Sequence, residues 1–266
     1  MSDSRALLNI VLSVPGILGI AGIVFRARGA VLWRMAVLVV LVILLVLGGG
    51  LIREFAAEQD SHRIHAWTGM VFSGFWSQDF SFHFDLFSLG QGLFMSWASL
   101  TALLVDGKGW AAHRSKLSAL LLFLSGVLGA VFAGNLLTFA AFSLVGLFPG
   151  VMVIGWDDSK NSAVSAVRFG AAGAAGTVLL LITYLGLHPV VAPVDIRLVG
   201  GFGIKDTLFW MFAVALLARA PIVPFHASQW TMLRLGRLPH LLPVMLAWNL
   251  GLYGLFRFGP MLFPDQ

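Results

Sequence analysis

The 266-residue sequence contains no cysteine. That absence excludes disulfides, thiol catalysis, iron–sulfur clusters and zinc–thiolate sites within the chain. Charge is scarce too: Asp, Glu, Lys and Arg make up 11% of the residues against 59% hydrophobic, and mean hydropathy is +0.91. A soluble domain needs a more polar surface than this, so the solvent for most of the chain is lipid. A basic stripe is missing as well. The net charge of +5 comes from residues dispersed between apolar blocks, a pattern that fits membrane topology and gives nucleic acid nothing to bind.

What is present are apolar blocks of about twenty residues, the length that crosses a bilayer as a helix. They predict an all-α, polytopic transmembrane bundle forming one membrane domain over 1–266. Its eight spans fall near 6–25, 35–52, 84–105, 117–134, 136–156, 169–187, 207–224 and 241–257. The first block reads as a helix and not a signal peptide, because "GILGIAGIVF" runs on without a small-residue cleavage pattern. Alternating loops put ten basic residues (Arg26, Arg28, Arg34, Lys108, Arg114, Lys116, Lys160, Arg168, Arg234, Arg237) on one side and six (Arg5, Arg53, Arg63, Arg197, Lys205, Arg257) on the other. The positive-inside rule then predicts an inner (cytoplasmic) membrane protein with both termini on the outer side.

The longest polar interruption, 53–83, predicts a structured outer loop at the interface, with the first two helices and this loop forming a unit over 1–81. Its histidines, His62, His65 and His83, have no cysteine or acidic ligand cluster at a metal spacing, so they read as solvated loop residues and no metal is assigned. "GAAGAAG" at 170–176 offers a surface of small residues for close helix packing; it lacks the lysine and hydroxyl of a phosphate loop.

Ionisable groups inside a span are functional hypotheses by default. All twelve acidic residues lie outside the span interiors, with Asp85 and Asp206 at helix mouths. Arg219 is the one deep charge, thirteen residues beyond Asp206, or about 20 Å along a helix. Pro221 and Pro224 follow it, and neither donates a backbone hydrogen bond, which predicts a broken helix and released carbonyls at Leu217 and Ala220. Such a break survives in a bilayer only inside protein or beside a wet cavity. Two readings of Arg219 stay open: a station on or beside an ion path, or a residue that snorkels to the headgroups or knits helices together.

Four stretches carry a family resemblance. "ARAPIVPFH" at 218–226 resembles "VKVPLFPFH", and "LYGLFRFGPMLFP" at 252–264 resembles "TYGLLRF…LPLFP". "FHFDLFSL" at 82–89 resembles "VDGLSL", and "AGNLLTFAAFSLVGLFPGVMVIGW" at 133–156 resembles "ADNLLLLFVFWELMLIPMYFLIGIW". These are patterns of the antiporter-like membrane subunits of respiratory complex I, in its NuoM-like branch, shared with Mrp antiporters and membrane-bound hydrogenases. The resemblance implies that 82–266 is a partial antiporter-like fold holding only the first repeat. Asp85 and Asn135 match family motif positions. The resemblance places ion-path candidates at Arg219 (the family's lysine), His226, Asn249 (a second lysine), His240 and Ser143, with Pro221 and Pro224 at the helix break. Leu144 falls where the family carries its membrane glutamate.

These departures bear on mechanism. A lysine can be tuned to release its proton, whereas a guanidinium stays charged, so a simple proton relay at 219 is not expected. The resemblance implies a membrane subunit of a complex I-related or ion-translocating assembly, contributing scaffold or half of a proton or cation path. It has no catalytic residue and no cofactor of its own. Its partners would be lipid and other membrane subunits, including a chain that supplies the second repeat. Two other readings are a membrane component of a proton-coupled inorganic carbon or cation uptake system, and a purely structural membrane anchor.

Overall fold

The computed structural model describes residues 2–25, 28–57, 65–69, 80–156, 160–187, 202–220, 244 and 249–263. His62, Pro221, Pro224, His226 and His240 lie outside these. In chain order the described elements are α1 (Ser2–Val24), α2 (Gly29–Ala57), β1 (His65–Gly69), β2 (Phe80–Phe84), α3 (Leu86–Val105), α4 (Gly107–Ala112), α5 (Arg114–Val131), α6 (Leu136–Ile154), α7 (Lys160–Leu187), α8 (Phe202–Leu217) and α9 (Asn249–Leu262).

The fold is a bundle of apolar helices, as the composition predicts. Among the described residues five helices are long and apolar enough to span a membrane: Gly29–Ile52 within α2, then α3, α5, α6 and α7. Shorter apolar helices cover Ile10–Val24 and Asp206–Leu217. Several boundaries move from those expected. α2 and α7 begin at Gly29 and Lys160 instead of 35 and 169, because helix propagation through a few polar residues at a membrane surface is cheap once a long apolar helix has nucleated. α4 is an extra surface turn, capped where the Asp106 carboxylate accepts from the Gly109 amide at 3.1 Å.

α5 is the central helix. It packs against α1 and α6 and touches α3 and α9, while α6 leads on to α7 and α7 to α8. Close approach explains its composition: a side chain added at Gly126 would strike the backbone of Gly146 on α6. Removing side chains at such a crossing lets helices gain dispersion contact where lipid offers no hydrophobic drive.

The 53–83 segment, expected as a structured outer loop, contributes an antiparallel hairpin that pairs His65 with Phe84 and Gly69 with Phe80. Phe82 ties it to the bundle by a bridge to Ala133 and an edge-on contact with Phe142, centroids 5.6 Å apart.

Candidate functional site

Arg219 sits just beyond the C-terminal end of α8. The helix stops at Leu217, and two tighter turns follow, with the Arg219 amide donating to the Leu216 carbonyl and the Ala220 amide to the Leu217 carbonyl, both at 3.0 Å. The expected break is therefore visible as far as Ala220. One detail is corrected: the Leu217 carbonyl is not released by Pro221, because a three-residue turn recruits the Ala220 amide in its place.

The side chain crosses to α7. Arg219 Nη2 donates to the Gly173 carbonyl at 3.0 Å, an acceptor that Thr177 Oγ1 shares at 2.8 Å. The guanidinium lies over Gly176, where an added Cβ would be 2.7 Å from the Ala215 carbonyl and 3.1 Å from Arg219 Nε. The small-residue stretch thus packs helices, as expected, and also leaves a gap through which an arginine reaches a backbone oxygen. Arg219 Nε remains buried without a hydrogen-bond partner. From the far side α9 closes on the break, with Gly251 set against the Leu216 carbonyl and the Ala220 amide. This places Asn249, at the start of α9, on the element that covers Arg219.

A second polar cluster joins three helices at the other end of α9. Arg257 Nη1 lies 3.0 Å from Asp85 Oδ2, the arginine side chain being 7% exposed and the aspartate 34%. The same nitrogen donates to Tyr253 Oη at 2.6 Å, and that hydroxyl donates to the Val131 carbonyl at 2.6 Å. Phe87 stacks on the Tyr253 ring at 4.9 Å. Asp85 is also the N-cap of α3, accepting from the Ser88 amide at 2.7 Å while Ser88 Oγ caps the Asp85 amide in return.

Among proteins of known kind, the chain is 28% identical over 119 residues to NADH-quinone oxidoreductase subunit M of Rickettsia bellii, a match covering 42% of this chain and 24% of that protein. In solved structures, its fold matches a chain of the membrane-bound sulfane sulfur reductase, an archaeal respiratory membrane complex. There the TM-score is 0.73 at 18% identity, over 94% of this chain and 40% of the other. It also matches a chain of the Mrp complex from Dietzia sp., with a TM-score of 0.70 at 21% identity, over 99% of this chain and 50% of the other. The chain is similar in sequence to part of one such subunit and shares the fold of chains in these two complexes. No family model matches it. The chain covers half or less of each protein it resembles, and the structural neighbours are membrane complexes.

The remaining candidate residues divide by what they do in the fold. Asn135 is the N-cap of α6, its side chain accepting from the Thr138 amide at 2.7 Å, so both motif residues, Asp85 and Asn135, start helices. Ser143 is 7% exposed and its hydroxyl has no partner, whereas Leu144 turns outward at 42% exposed. The inward position on α6 is therefore 143. The Arg257–Tyr253–Asp85 network escaped sequence reasoning, because its members are 172 residues apart at the widest. One signal was available: Tyr253 and Arg257 are spaced by one helical turn, the separation at which a hydroxyl and a guanidinium can meet.

Proposed function

We propose that this antiporter-like chain is a membrane subunit of a complex I-related, ion-translocating assembly, in which it serves as scaffold and as one half of an ion path. The observation that carries this reading is Arg219: a permanent charge at an interrupted helix, held by the Gly173 carbonyl and left with a buried, unpartnered Nε–H. A residue that merely snorkels would carry its charge to the headgroups. This one turns across α7 instead. Its fixed charge sets the local potential for any ion passing the break, which is a different role from handing on a proton.

In this reading the partners are other membrane subunits, one of them carrying the repeat that the resemblance implies beside residues 82–266. Purification in mild detergent followed by native mass spectrometry tests it. The expected result is a particle containing this chain with further membrane subunits; a stable, partner-free monomer would refute the proposal. Within an intact particle, Arg219→Ala is expected to leave subunit composition unchanged and to abolish ion movement in proteoliposomes. Unchanged ion movement would make the chain a structural anchor.

A further inference from the structure

Two polar groups lie buried without partners on one layer of the bundle: Arg219 Nε and Ser143 Oγ. The layer follows from the contacts between α6 and α7. Side chains added at Gly155, Gly170 and Gly173 would meet Ala166, Val151 and Leu147 respectively, so positions fall along α6 as they rise along α7. The two helices are antiparallel. One turn beyond the Leu147–Gly173 contact, Ser143 comes level with Gly176 and Thr177. It shares the α7-facing side of α6 with Leu147 and Val151, four residues apart each. Gly176 is where Arg219 Nε packs. Thr177 Oγ1 turns back to donate to the Gly173 carbonyl, and neither Arg219 Nε nor Ser143 Oγ is hydrogen-bonded to it.

The missing partner must answer charge as well as hydrogen bonding. Among the described residues Arg219 makes no ion pair, and the acceptor it reaches is a neutral carbonyl. Arg219 as a whole is partly exposed while its Nε is buried, and a guanidinium so incompletely solvated favours a neighbouring negative charge. Water would satisfy the Nε–H and the hydroxyl but not the charge, and a cation would be repelled. A monovalent anion accepts from both donors and neutralises the arginine.

We infer that Ser143 on α6 and Arg219 at the end of α8 together bind a small monovalent anion. The inference deepens the ion-path reading of Arg219 and rests on it for its place in transport. Binding itself is tested separately. The purified assembly is titrated with chloride against gluconate at constant ionic strength and pH, and its thermal midpoint is followed by tryptophan fluorescence. Wild type is expected to gain stability saturably with chloride. Arg219→Gln is expected to lose that response. Ser143→Ala should raise the half-saturating chloride about tenfold, the factor that one hydrogen bond to a charged group carries. A wild type indifferent to chloride overturns the site, as does a response unchanged in Arg219→Gln. If Arg219→Gln does not assemble, Ser143→Ala decides, and an unshifted half-saturation overturns the inference. Native mass spectrometry of the same sample separates the two proposals: an intact assembly without chloride dependence removes the anion site alone, and a partner-free monomer that still responds removes the assembly alone.

Discussion

At the scale of single residues, the decisive feature is what Gly176 lacks. Its hydrogen lets α8 approach α7 closely enough for Arg219 to pass, and any side chain there meets the Ala215 carbonyl at 2.7 Å. Backbone cannot give way as a flexible side chain can. Gly176→Val is therefore expected to destabilise the protein by about 1–3 kcal/mol through overpacking, with Gly176→Ala milder. Unfolding in mixed micelles checks the order; equal midpoints for wild type and Gly176→Val would contradict the packing described. Arg219 itself was legible in the sequence as a lone charge in an apolar run. Its acceptor was not, because nothing in the spacing of 173 and 219 announces that they meet.

At the scale of elements, helix starts and helix ties behave differently. Asn135 caps α6 through one side-chain acceptor, so Asn135→Ala should cost about 1 kcal/mol while Asn135→Asp, which keeps an acceptor, stays near wild type. Thermal midpoints of the two variants measure this. The tie between α3 and α9 is an ion pair with one partner largely buried. Removing either charge strands the other in a poorly solvated place. A double-mutant cycle over Asp85→Asn and Arg257→Met is expected to show a coupling of about 1–3 kcal/mol, with the double variant more stable than the sum of the single losses. Simple additivity would show that the pair contributes nothing. The aspartate's place at a helix mouth is legible in the sequence, but its ion-pair partner lies 172 positions away. Pairings at that separation depend on how the helices are arranged, which periodicity along one helix does not encode.

At the scale of the whole molecule, the antiparallel course of α6 and α7 brings Ser143 to the level of Gly176. The absence of native cysteine makes this simple to test with introduced pairs. Leu147→Cys with Gly173→Cys is expected to cross-link within one chain under mild oxidation, since these positions touch. Val145→Cys with Gly173→Cys is not, because Val145 faces outward, 53% exposed. Peptide mapping by mass spectrometry reads both outcomes, and cross-linking of the second pair alone would reverse the helix phase. Outward apolar residues also continue along α6 at Phe148 and along α7 at Val167 and Val178. Their exposure gives these helices an apolar outer surface suited to the membrane.

By itself the sequence determined the solvent, the helical class and the lone arginine of an apolar run, because each follows from local composition: apolar run length and an ionisable group within it. The antiporter-like resemblance was legible for the same reason, as short local patterns. Only the tertiary structure decided that Gly173 accepts from Arg219, that Ser143 and not Leu144 turns inward, and that Arg257 completes Asp85. Adjacent helical residues point about 100° apart, so a motif aligned correctly to within one position still leaves open which side chain enters the bundle. That choice belongs to the packing of neighbouring helices.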